Sequence, residues 1–235
     1  MAHRLLVFGA SGAIGSAIVI AAAERGWHTV AVARTQPTVT GPGVTALTHD
    51  PFAEELAGSD LAAAGPFDAV CWAQGANVND SIRTVDLARH EEVYRANCGY
   101  ILVTLQGLLQ AELLTAPAKL CVISSIWQTI ARQNKLTYGM TKAALQGLVL
   151  SLAADLGAEG HLVNAVLPGA LDTPMTRKNL TAEQIGVLES ATLFGRLSTL
   201  EDVASAVLYL CSPENTGITG QFVAADLGFS RVRIL

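Results

Sequence analysis

The sequence predicts an α/β protein built on a single doubly wound, parallel sheet of about seven strands flanked by helices. Three observations point there. Apolar runs of strand length alternate with segments of helical period. The strand-like runs are continuously apolar, as strands covered on both faces are. A glycine-rich turn follows the first run, where such sheets hand the chain to a helix. With 235 residues, 51% apolar and 15% charged, the chain suits one domain over 1–235 better than two small ones.

The elements follow in order. "RLLVF" (4–8) reads as a buried strand, and 13–26, rich in alanine and isoleucine, as the first helix. "HTVAVA" (28–33), "VTALTHD" (44–50) and "FDAVCWA" (67–73) read as three further strands. Residues 84–114 carry one long helical pattern. "KLCVISS" (119–125) is a strand that ends in two serines. A helix over 138–158, a strand over 161–169, a helix over 199–211 and a last strand over 220–226 complete the chain. The stretch 168–195, with Pro168, Gly169, Pro174 and many polar residues, reads as irregular and suits a lid.

Composition narrows the function. The net charge is −5 and the fifteen Lys and Arg are scattered, which argues against nucleic acid and against an anionic membrane surface. No apolar run approaches the roughly 18 residues that span a bilayer, and the opening residues lack a signal-peptide pattern. A cytoplasmic location is expected. Cys71, Cys98, Cys121 and Cys211 are far apart in sequence and form no metal-ligand spacing, so they read as reduced packing residues.

"FGASGAIG" (8–15) leaves the first strand and opens the first helix. Gly9, Gly12 and Gly15 let the backbone turn tightly and approach a pyrophosphate, while the helix N-terminus offers N–H groups and positive dipole. The turn, with Ser11 and Ile14 inside it, therefore reads as a dinucleotide-binding element of a Rossmann-like fold. At the end of the second strand an acidic residue would hold the ribose hydroxyls of NAD. This chain has Ala33 and then Arg34, and a guanidinium attracts the 2′-phosphate of NADP. NADP(H) is expected over NAD(H), the alternative for Arg34 being a solvated surface residue. Asp50 suits either the adenine amine or a loop cap.

Tyr138 and Lys142 stand four residues apart on a predicted helix and share a face. A phenol is a poor base near neutrality, and a close ammonium is expected to lower its pKa. Tyr138 could then exchange a proton with a C=O/CHOH pair while hydride moves to or from a dinucleotide. Ser125 ends the fifth strand, at the sheet edge where doubly wound folds bind ligands. Its hydroxyl could hold the substrate oxygen, or cap a turn.

Together these residues resemble the short-chain dehydrogenase/reductase family. Ser125, Tyr138 and Lys142 meet the pattern of a serine, twelve residues, then Y-x-x-x-K. "VNAVLPGALDTPM" (163–175) and "GRLSTLEDVASAVLYLCSPENTGITGQFVAAD" (195–226) are similar to the family's later segments, so the likeness spans nearly the whole chain. The resemblance implies that Asn97 joins a water-linked proton relay with the lysine, that Lys142 also holds the nicotinamide ribose, and that Pro168, Gly169, Leu171 and Thr173 lie along the nicotinamide. From the residues alone, Asn97 could make only a local bond and Thr173 could only cap a turn. The family also implies a homodimer or homotetramer.

The chain departs from the family in places. Phe8 stands for the threonine and Ala13 for the second glycine of T-G-x-x-x-G-x-G. The N-N-A-G segment reads Trp72-Ala73-Gln74-Gly75, keeping only Gly75, and Trp72 reads as a packing residue. The terminal D-G-G reads Asp226-Leu227-Gly228. Trp127 and Arg132 are candidate substrate-pocket residues, Arg132 a conceivable anchor for a carboxylate or phosphate. The expected function is an NADP(H)-dependent reductase of a small carbonyl compound. The alternatives are a non-catalytic NADP(H) sensor and a redox-neutral isomerase or dehydratase that retains its cofactor.

Overall fold

A computed structural model describes residues 2–232. Strands β1 (Arg4–Phe8), β2 (His28–Ala33), β3 (Val44–Thr48), β4 (Phe67–Trp72), β5 (Leu114–Ile123), β6 (Leu162–Pro168) and β7 (Phe222–Ala225) form one seven-stranded sheet in the order β3-β2-β1-β4-β5-β6-β7. Every pairing is parallel. All seven strands were legible in the sequence, the inner ones as apolar runs and β3 as the shorter, partly exposed VTALT.

Helices cover both faces. Helix α1 (Ala13–Glu24) follows β1, the single turn α2 (Asp60–Ala63) precedes β4, and α3 (Leu87–Tyr94) and α4 (Tyr100–Gln110) are joined by a π-helical turn at Arg95–Gly99. Helix α5 spans Leu136–Leu156, α6 Pro174–Asn179, α7 Ala182–Ser190 and α8 Leu200–Cys211. One core layer packs Ile101, Leu105 and Leu108 of α4 and Leu145 and Val149 of α5 against Leu6, Val70, Leu120 and Val163. The other packs Ile18 and Val19 of α1 and Val203 and Val207 of α8 against Leu5, Val7, Cys71 and Cys121. Neighbouring strand residues go to opposite layers, which is why the strands read as unbroken apolar runs.

Trp72 packs as the sequence suggests. It is buried, stacks on Phe8 at a centroid distance of 6.1 Å, and its indole N–H donates to Thr104 Oγ1 at 2.8 Å. The four cysteines are free and buried. Cys71 and Cys121 face each other across β4 and β5.

Most boundaries shift by one or two residues, and three regions differ more from the sequence reading. The long helical pattern begins at Leu87, because the Asp86 carboxylate caps that turn by accepting from the Ala88 and Arg89 amides. Strand β5 starts at Leu114 rather than 119, extended by pairing of Phe67 with Leu114. The stretch 168–195 is not irregular: it holds α6 and α7. Thr173 with Pro174 starts α6, and Thr181 with Gln184 forms a capping box for α7.

Sheet order turns back between β1 and β4. Their C-terminal ends leave a crevice there, the place where open α/β sheets bind ligands.

Candidate active site

The glycine turn sits in that crevice. Gly9 has φ +78°, and a Cβ there would lie 2.4 Å from the Gln74 backbone nitrogen, so only glycine fits. A Cβ on Gly15 would lie 2.3 Å from the Gly9 carbonyl oxygen, which fixes how closely α1 meets the turn. Gly12 is the N-cap of α1 and supplies no capping side chain, and the first turn holds no acidic residue. The positive end of the helix is therefore left open to an anion. Ile14 packs its side chain against the core. The Ser11 hydroxyl donates to the Thr35 carbonyl at 3.2 Å.

A cleft of about 830 Å³ opens over this turn and is lined by Gly9, Ser11, Gly12, Arg34, Asp50 and Gly75, among others. Five of those six residues bracket the turn and the ends of β2 and β4. Arg34 is exposed at its rim. Asp50 accepts from the Phe52 amide at 3.1 Å, so it caps its loop while also facing the cleft. Tyr100, buried beneath, feels both: burial first and then the Asp50 charge raise its pKa, and Arg34 lowers it. Gln74, also in the cleft wall, has both amide atoms buried without a partner among the described residues. Such orphaned groups carry a penalty that a ligand can remove. The open helix end, the glycine cradle and the unpartnered amide together fit a dinucleotide.

Ser125, Tyr138 and Lys142 lie beyond that cleft's lining, and they meet one another. Ser125 leaves β5 and caps a short 3₁₀ turn, its hydroxyl accepting from the Trp127 amide at 3.3 Å. Burial raises the pKa of the Tyr138 phenol, and the nearby Ser125 hydroxyl, the smaller effect, works to lower it. The net shift is thus upward, opposite to the expected lowering: the Lys142 amine is 5.6 Å from the Tyr138 ring centre, and desolvation dominates. Lys142 itself is buried and donates to the Ile123 carbonyl at 2.9 Å. Burial draws its pKa down to about 8, partly opposed by Cys98.

Asn97 occupies the π-helical turn and is buried. Its Oδ1 accepts from the Ala76 amide at 2.6 Å, and its Nδ2 donates to the Ala76 carbonyl at 3.0 Å and to Thr141 Oγ1 at 2.8 Å. It therefore ties the β4 exit to α5. Gly75 bridges the two halves of the site: a Cβ there would lie 3.2 Å from Asn97 Oδ1 and 3.9 Å from Lys142 Nζ.

Opposite, Pro168 ends β6, and the Gly169 amide donates to the Ala225 carbonyl at 3.2 Å. Leu171 makes a parallel bridge with Ser198. Thr173 caps α6, accepting from the Thr176 amide at 3.2 Å, which is the simpler of its two readings. Trp127 packs edge-to-face on Phe229 at 6.3 Å, and the exposed Arg132 guanidinium stands 6.0 Å from the Trp127 ring centre. Three residues escaped the sequence reading. Thr141 and Gln74 carry no pattern of their own. Lys135, 5.6 Å from the Tyr138 ring centre, offered only a spacing of three from the tyrosine, too common to single it out.

A family model described as enoyl-(acyl carrier protein) reductase matches residues 9–230. The chain belongs to the short-chain dehydrogenase/reductase family. An uncharacterized oxidoreductase, YmfI, of Bacillus subtilis is 29% identical over 97% of this chain and 99% of its own length. A 2-keto-3-deoxy-L-fuconate dehydrogenase of Xanthomonas campestris is 29% identical, covering 97% of this chain and 80% of itself. An L-xylulose reductase of Mesocricetus auratus is 28% identical over 97% and 96%. Among solved structures, a short-chain dehydrogenase family protein from Francisella tularensis superposes with a TM-score of 0.87 at 22% identity, over 99% of this chain and 100% of its own. A gluconate 5-dehydrogenase from Burkholderia cenocepacia, in complex with NADP and tartrate, gives 0.86 at 21%, over 98% and 96%. This chain is accordingly an oxidoreductase acting on CH–OH/C=O groups with NAD(P). Among the described residues no helix is long and apolar enough to cross a membrane.

Proposed function

We propose that the chain is an NADP(H)-dependent reductase that converts a small carbonyl compound to a secondary alcohol. The observation that carries this reading is the meeting of Ser125, Tyr138 and Lys142 beside a glycine turn built for a pyrophosphate. Gly9, Ser11, Gly12, Ile14 and Gly15 would receive the pyrophosphate by their backbone. Arg34 would grip the 2′-phosphate, Asp50 the adenine, and Gly75, Pro168, Gly169, Leu171 and Thr173 the nicotinamide side. Bound NADPH supplies the hydride.

The chain's own residues handle the oxygen and its proton. Ser125 donates a hydrogen bond to the substrate carbonyl and holds it beside the phenol. Tyr138, kept protonated by burial, gives its proton to the developing alkoxide. Lys142, charged at neutral pH, stabilises the phenolate left behind and can anchor the nicotinamide ribose. Asn97 holds Ala76 and Thr141 so that Gly75 and Lys142 keep their spacing, and can pass a proton outward through water. The protein is expected to work as a cytoplasmic homodimer or homotetramer.

NADPH oxidation across a panel of ketones, aldehydes and keto-sugars tests this reading. Tyr138→Phe is expected to bind NADPH as before and to lose turnover by at least about a hundredfold, the usual worth of a placed proton donor. Turnover that survives the substitution sinks the assignment.

A further inference from the structure

The chain has four lysines, and two of them lie over one aromatic ring. Lys135 Nζ and Lys142 Nζ each stand 5.6 Å from the Tyr138 ring centre. Lys142 is buried behind the site and held by the Ile123 carbonyl. Lys135 is only half-buried, at the start of α5, and its ammonium donates to Asn77 Oδ1 at 2.8 Å.

A third cation stands at the same edge. The Arg132 guanidinium lies over Trp127 and is close enough for its charge to lower the Lys135 pKa, second only to burial in doing so. One carboxylate opposes them, Asp80, whose charge raises that pKa. Asp80 is buried and already engaged. Its Oδ1 accepts from the Thr137 amide at 2.9 Å and so caps the first turn of α5. Among the described residues neither Lys135 nor Arg132 is in an ion pair. In a chain of net charge −5, this places one under-compensated cation over the Tyr138 ring and a second near it, over Trp127. Repulsion between them is what a bound anion would relieve.

We propose that Lys135 and Arg132 form an anion-binding edge of the substrate pocket, so that the carbonyl compound met by Tyr138 carries a carboxylate or a phosphate. The inference rests on the reductase reading above and adds a substrate class to it. Arg132, stacked on Trp127, offers a planar fork suited to two anionic oxygens, and Lys135 a point charge near the phenol. Trp127 and Phe229 give that edge an apolar wall.

Matched pairs test it. With NADPH, kcat/KM is measured for acetoacetate against methyl acetoacetate, and for dihydroxyacetone phosphate against dihydroxyacetone. The wild-type protein, Lys135→Gln and Arg132→Gln are compared. The anionic member of one pair is expected to be favoured by about tenfold or more, mostly through KM. Each substitution is expected to cut that preference about fivefold, the conservative Lys135→Arg to keep most of it, and added salt to weaken it. The pair that responds tells a carboxylate from a phosphate. A preference near unity in both pairs, or one that neither substitution changes, overturns the proposal. If none of the four is reduced, the reductase reading is in question, and the anion edge is judged by calorimetric binding of the same pairs to the NADP-loaded protein. Tighter binding of one anionic member, lost in the two Gln variants, supports the edge. No such difference overturns it.

Discussion

Lys142 shows how one residue can work against stability while suiting the chemistry proposed for it. Its amine is buried, and the fall of its pKa from 10.5 to about 8 corresponds to about 3 kcal/mol against the charged form. Below pH 8 the folded protein bears that charge in a poor environment. Between pH 8 and 10.5 the unfolded chain binds a proton that the folded chain has released, so stability from this group rises with pH across that window. Lys142→Met is therefore expected to unfold later than the wild type at pH 7, by roughly 1–2 kcal/mol after loss of the bond to Ile123. The advantage should shrink toward pH 10.5. Urea melts at pH 7 and pH 10 would measure it, and a variant less stable at both would contradict the burial account. The pairing of Tyr138 with Lys142 was legible because four residues make one helical turn. The phenol's raised pKa was not, because burial is set by what α5 packs against, and Y-x-x-x-K says nothing of that. Lys135 shares the tyrosine's face at a spacing of three, yet lone spacings of that kind occur on every helix and single out none.

At the scale of elements, the π-helical turn between α3 and α4 is what aims Asn97 inward. One extra residue in the turn rotates the helix face, so the amide that would otherwise follow the surface is buried against Ala76 and Thr141. Hydropathy cannot reveal this, since a single-residue phase change inside a long apolar pattern still reads as one helix. The caps of α6 and α7 were written in Thr173-Pro174 and in Thr181 with Gln184, but such short helices leave too little period to be seen. Asn97→Ala would orphan the Ala76 amide and free the β4 exit from α5. The expected loss is about 1–3 kcal/mol in chemical denaturation, within the cost of unsatisfied buried groups. A loss below about 0.5 kcal/mol would mean that Asn97 does not brace this junction. Turnover should fall as well, because Gly75 and Lys142 share the space that Asn97 borders.

The whole molecule brings chain segments far apart in sequence to one sheet edge, and only there do they amount to a site. Parallel order places the ends of β1, β4, β5 and β6 side by side, so the glycine turn, Gly75, Ser125 and Gly169 share a rim although 160 residues separate the first from the last. That convergence was legible, since the alternation of strands and helices leaves few topologies. The proposed cofactor preference is less so, because it rests on Arg34, an exposed side chain at the rim of the cleft. A ligand that binds only the folded chain stabilises it by about 2.7 kcal/mol at a hundred times its dissociation constant. For a chain of this size that raises the melting temperature by roughly 5–10 °C. NADPH should reach such a shift at lower concentration than NADH, because the 2′-phosphate adds a charge-assisted contact with Arg34. Arg34→Ala should raise the NADPH dissociation constant about tenfold while moving that for NADH less than about twofold. It should also flatten the salt dependence of NADPH binding, which an exposed ion pair would impose. Equal losses for the two dinucleotides in thermal-shift titrations would make Arg34 a solvated rim residue and leave the 2′-phosphate without a reader after β2.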